Sequence, residues 1–79
     1  MNQESGPSQK FIQDNREAIG RQIREYREKK GFSQDELAQL MQIHRSTISK
    51  VESGKFAITV DYFLKFGWYL GFQILISKR

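Results

Sequence analysis

The stretch from Gly31 to Gly54, GFSQDELAQLMQIHRSTISKVESG, constrains the fold more than any other part of the chain. Helix stop and start signals follow one another there too closely for long elements. Gly31 comes after Lys29 and Lys30, so a glycine suited to a left-handed helix end follows the positive charge that a helix C-terminus favours. Ser33, with Glu36 three residues later, forms a capping box, and Asp35 and Glu36 place acid in the first turn of a new helix. Leu37, Ala38 and Met41 make its inward stripe, and the pattern breaks at Gln42-Ile43. A second short helix begins at HRSTISKVES, with Ile48 and Val51 inward and Gly54 as its stop. Two short helices across a tight turn, the first capped and the second opening on small polar and basic residues, make a helix-turn-helix pattern.

The flanks are read in the same way. From about Ile12 to Lys30 the apolar residues Ile19, Ile23 and Tyr26 recur at helical spacing, and the remainder is strongly charged, with Glu25 and Lys29 spaced to pair. Thr59 caps a helix over Val60–Leu70 whose core stripe is Phe63, Phe66 and Leu70, and Gly71 closes it. The last residues, GFQILISKR, alternate: Phe72, Ile74 and Ile76 on one face, Gln73, Leu75 and Ser77 on the other. This predicts a lone strand, and a lone strand needs a partner. The first ten residues hold no aromatic or β-branched side chain, so residues 1–11 are expected to form a disordered tail. The expected architecture is all-α: four to five helices in a helix-turn-helix domain over 12–71, and a dimerisation strand over 72–79 pairing antiparallel across a two-fold axis.

A chain of 79 residues builds a core that supplies only ~3–5 kcal/mol. With no cysteine and one histidine, neither disulfides nor a metal site supplement it, which leaves oligomerisation. The aromatic surplus near the C-terminus agrees, because Tyr62, Trp68 and Tyr69 exceed what one small core needs. The expected dimer interface is therefore Trp68, Tyr69, Phe72, Ile74, Leu75 and Ile76. No apolar run reaches a membrane span and no signal-peptide core opens the chain, so a cytoplasmic protein without a membrane partner is expected. A net charge of +4 favours a polyanionic partner, nucleic acid first. His44 lies near Ser46 and Ser49, but no acid is placed to complete a catalytic triad, and no cofactor motif is present. An enzyme is not expected.

The ordered string of residues resembles the Xre / lambda-repressor-like helix-turn-helix family. It runs through Arg24 and Arg27, Gly31, Ser33-Gln34, Glu36-Leu37-Ala38, Ile43, Arg45-Ser46-Thr47-Ile48-Ser49, Val51-Glu52 and Gly54-Lys55. One departure is visible: the family usually carries glycine where this chain has Gln42, and a left-handed glutamine would cost ~1 kcal/mol. The resemblance implies a homodimeric regulator, a repressor, reading an inverted repeat in double-stranded operator DNA, of bacterial or phage origin and DNA-associated. The second motif helix presents Arg45, Ser46, Thr47, Ser49 and Lys50 as the residues to touch base edges. Arg45 is suited to a bidentate contact with guanine. Phosphate contacts are expected from Gln34, His44, Ser53, Gly54 and Lys55, with the backbone amides of the Ser53–Lys55 loop taking part. Arg27 and Glu52 match a pair that orients the motif. The C-terminal strand further resembles antitoxins of HipB type, which implies a kinase-like toxin as partner. The alternative is a protein-interaction adaptor that uses the helix-turn-helix as a scaffold and adds its strand to a partner's sheet edge.

Overall fold

The computed structural model describes residues 6–74, and four helices account for most of them: α1 (Gln9–Lys30), α2 (Gln34–Met41), α3 (Arg45–Glu52) and α4 (Val60–Leu70). Among the described residues there is no strand. The ends of α2 and α4 fall where the capping chemistry places them. Ser33 Oγ accepts from the Glu36 amide at 3.0 Å, and the Ser33 amide donates in turn to Glu36 Oε1 at 2.7 Å. Thr59 caps α4 through the Tyr62 amide at 3.1 Å. Gly31 and Gly71 close α1 and α4 in the left-handed region.

The first helix begins earlier than its apolar pattern suggests, at Gln9 instead of Ile12. Local hydrogen bonding decides this, not burial. Ser8 Oγ accepts from the Phe11 amide at 3.0 Å, Lys10 pairs with Asp14 at 2.8 Å, and Asn15 donates to the Phe11 carbonyl. Gln13 then ties the extension to the body by donating to the Gly54 carbonyl at 3.1 Å. The surface pair of this helix also shifts by one residue: Arg24 meets Glu28 at 3.3 Å, in place of a Glu25–Lys29 pair.

Every helix sends residues into one core of Ile23, Leu37, Ala38, Ile48, Val51, Phe66 and Leu70. Burying each of these side chains other than Ala38 stabilises by about 1.5–3 kcal/mol. Met41 at the end of α2, with Phe32, Ile43, Phe56 and Ile58 from the connections, closes it. Tyr62 and Tyr69 are not surplus: both pack on this core, Tyr62 edge-on to Phe66 with centroids 5.8 Å apart. Trp68 is the one of the three that stands clear, 83% exposed. After Gly71 the chain folds back, and Phe72 bonds through its amide to the Gly67 carbonyl at 3.0 Å. Its ring fills the seam between α1 and α4, 5.0 Å from Tyr26 and 5.3 Å from Phe63. Of the strand expected over 72–79, residues 72–74 do not form a strand, because Phe72 turns back into this seam, and Leu75, Ile76 and the rest lie outside the described residues.

Candidate nucleic-acid interface

The turn between α2 and α3 consists of Gln42, Ile43 and His44. Gln42 takes φ 57° and ψ 46°, the left-handed conformation that glycine adopts without strain. Its amide and that of Ile43 return to the carbonyls of Gln39 and Ala38, which satisfies the end of α2. Ile43 drops into the core, and His44 becomes the N-cap of α3 with an exposed side chain that makes no capping bond. Ile48 and Val51 bury one side of α3. The opposite side therefore carries Arg45, Ser46, Ser49 and Lys50 into solvent, with Thr47 half-buried at its margin.

The motif is locked by a buried polar cluster joining three helices. Glu52 of α3 accepts from Arg27 of α1 twice, at Oε2 from Nε (2.6 Å) and at Oε1 from Nη2 (3.1 Å). Gln34, the first residue of α2, donates to Oε1 at 3.0 Å, and Arg27 Nη1 donates to the Phe32 carbonyl at 2.8 Å. The two charged side chains are 9% and 6% exposed. The hydrogen bond to Glu52 holds the Arg27 guanidinium above its ordinary pKa, against the opposing effect of burial. Such a pair contributes definition more than net stability, whereas removing one partner leaves a stranded charge.

Two details differ from what the sequence suggested. Gln34 spends one donor on Glu52, so the α2 N-terminus is tied to α3 before any ligand arrives. The amides of Ser53, Gly54 and Lys55 donate internally to the carbonyls of Ser49, Val51 and Lys50, so they are not an open cradle for a phosphate. Gly54 is buried, at φ 77°, against the Glu17 backbone, which gives this glycine a structural reason. The side chains of Ser53 and Lys55 remain exposed beside α3.

Gly20 carries no signal in the charge or apolar pattern, yet it sets the position of α3. A Cβ at Gly20 would stand 2.5 Å from the Val51 carbonyl oxygen and 2.6 Å from that of Glu52. The only trace in the sequence is a glycine kept in mid-helix, where it costs ~1 kcal/mol relative to alanine.

A short helix laid across a frame, with one polar and basic face outward, defines a DNA-binding helix-turn-helix domain. The Helix-turn-helix family model matches residues 23–67, and the chain belongs to that family, of the Xre / lambda-repressor-like type. Among solved structures it is similar to the restriction-modification controller protein C.AhdI from Aeromonas hydrophila. The two are 32% identical with a TM-score of 0.71, over 76% of this chain and 91% of that one. No curated protein matches the chain. No helix among the described residues is long and apolar enough to cross a membrane, and no group of metal-ligating side chains gathers there.

Proposed function

We propose that the protein is a homodimeric, sequence-specific regulator of transcription that reads an inverted repeat in double-stranded DNA. The observation that carries this reading is the outward face of α3. Its exposed Arg45, Ser46, Ser49 and Lys50 project from a helix held by the Arg27–Glu52–Gln34 cluster. A major groove admits one such helix, and residues near its N-terminus reach base edges, so Arg45 is assigned to guanine O6 and N7. Ser46, Ser49 and Lys50 flank it, and Thr47 offers its methyl at the margin. Backbone phosphates are assigned to the side chains of Lys55, Ser53 and His44, and to the second amide proton of Gln34 at the N-terminus of α2. The likeness to a restriction-modification controller protein supports a regulatory role.

The dimer is supported by the apolar row on the outer side of α4. Val60, Leu64 and Trp68 are 68%, 48% and 83% exposed, and Ile74 continues the row. A dimer that reads an inverted repeat needs its two recognition helices one DNA turn apart, about 34–36 Å. The antitoxin role depends on the strand expected at the C-terminus, of which residues 75–79 lie outside the described residues, and no described feature supports a toxin partner.

The test is a duplex selected by the wild-type protein and then offered to Arg45→Ala at matched salt. Loss of specific binding with residual non-specific binding is expected. A variant that binds the selected duplex as well as wild type would refute readout through α3 and favour the adaptor alternative.

A further inference from the structure

Arg45 does not extend freely from α3. Its Nε lies 3.4 Å from Asp35 Oδ1, a carboxylate in the first turn of α2. The two side chains are 62% and 69% exposed, so in the free protein the pair adds little to stability. Its geometry is the informative part. A guanidinium offers five N–H donors in a rigid fork. A carboxylate beside Nε occupies one edge of the fork and leaves the Nη1–Nη2 edge, which can pair with guanine O6 and N7, without that partner. Asp35 is itself held on a fixed frame. The Ser33–Glu36 capping box sets the start of α2, Gln34 beside it is tied to Glu52, and Leu37 and Ala38 pack α2 against Ile48 of α3. An acid at this place suits the positive end of the α2 dipole, but it also stands beside the basic face expected to meet a polyanion, which it would repel.

We infer that Asp35 is a specificity-determining positioning residue: it aims the Arg45 guanidinium at guanine and weakens binding to DNA that lacks one. The inference rests on the operator reading above. It says that this carboxylate lowers overall DNA affinity and raises discrimination. In water a free Arg45 samples many rotamers and can reach phosphates as readily as a base. Held at Nε, it keeps its outer fork for the groove, and inside the complex the pair is desolvated and strengthened. A neighbouring phosphate meets the carboxylate's repulsion whatever the sequence.

The experiment uses the full chain and two duplexes: the selected operator, and the same operator with the guanine read by Arg45 replaced. Dissociation constants are measured at matched salt for wild type, Asp35→Ala, Asp35→Asn, Arg45→Ala and the Asp35→Ala/Arg45→Ala double variant. Thermal melts confirm that each variant is folded. Asp35→Ala is expected to bind the replaced duplex more tightly than wild type does, while discrimination between the duplexes falls about threefold to tenfold, part of what one bidentate contact supplies. Asp35→Asn, whose amide oxygen keeps an acceptor beside Nε without the charge, is expected to keep most of the discrimination. In the Arg45→Ala background Asp35→Ala should leave discrimination unchanged. If Asp35→Ala strengthens binding to both duplexes equally, Asp35 is only a repulsive charge and the inference is overturned. A wild type with no preferred duplex overturns the operator reading and this inference with it. A preference that survives Asp35→Ala unchanged overturns this inference alone.

Discussion

Replacing Gly20 with alanine sets two opposing effects against each other, and the structure decides the sign. In a solvent-facing helix the change would stabilise the protein by ~1 kcal/mol, because alanine loses less backbone freedom on folding. At Gly20 the new methyl would lie 2.5 Å from the Val51 carbonyl oxygen, where ordinary contact begins at 3.4 Å, so α1 and α3 must separate by about 0.9 Å (3.4 − 2.5). Both obstructing oxygens, on Val51 and Glu52, are backbone atoms and cannot rotate away. Overpacking of this kind costs ~1–3 kcal/mol, and a backbone obstruction belongs at the upper end. The net loss is therefore about 2 kcal/mol, which for a domain of this size lowers Tm by roughly 8–16 °C. The displacement also moves Glu52, so the ion pair to Arg27 lengthens and α3 tilts. DNA affinity should then fall by more than the unfolded fraction explains. Far-UV circular dichroism melts of wild type, Gly20→Ala and the exposed control Gln22→Ala would measure this. A Tm for Gly20→Ala equal to or above wild type would show that α1 does not approach α3 so closely, and the account of how α3 is positioned would fail.

Three further outcomes are expected. Gln42→Gly should stabilise by up to ~1 kcal/mol, since it relieves a left-handed glutamine; a fall in the denaturation midpoint would contradict the turn geometry. Arg27→Ala should cost ~3–5 kcal/mol by stranding Glu52, while Arg27→Met combined with Glu52→Met should recover most of it in urea titrations. Equal losses for the single and double variants would contradict the stranded-charge explanation. Trp68→Glu should shift sedimentation toward monomer at micromolar concentration and leave Tm of the monomer nearly unchanged, because the side chain is 83% exposed. A variant as dimeric as wild type would move the interface elsewhere.

What was legible in the sequence was local chemistry. Ser33 with Glu36, Thr59 before α4, and the glycines at 31 and 71 mark helix ends because each satisfies backbone groups within a turn of itself. The inward positions Ile48, Val51, Phe66 and Leu70 followed from helical period alone. The Arg27–Glu52 pair was accessible through family resemblance, since residues far apart in the chain leave no periodic trace of their contact. Less legible were features set by backbone meeting backbone. Gly20 against the carbonyls of Val51 and Glu52 has no side chain to betray it, and the amides of Ser53–Lys55 turn inward for reasons that depend on where α3 ends. Composition also misjudged the start of α1, because Ser8, Lys10 and Asn15 build that turn through polar bonds and bury almost nothing. Asp35 read as a helix-dipole residue; its place beside Arg45 emerged only once α2 and α3 were packed together.

The central claim is that α3 reads bases from a dimer, and enrichment from a pool of random duplexes tests it most directly. Wild type should enrich an inverted repeat with half-site centres about 10–10.5 base pairs apart and a guanine in each half, and Arg45→Ala should lose preference at that guanine. Enrichment of no sequence, or of one that Arg45→Ala enriches equally, would contradict the account.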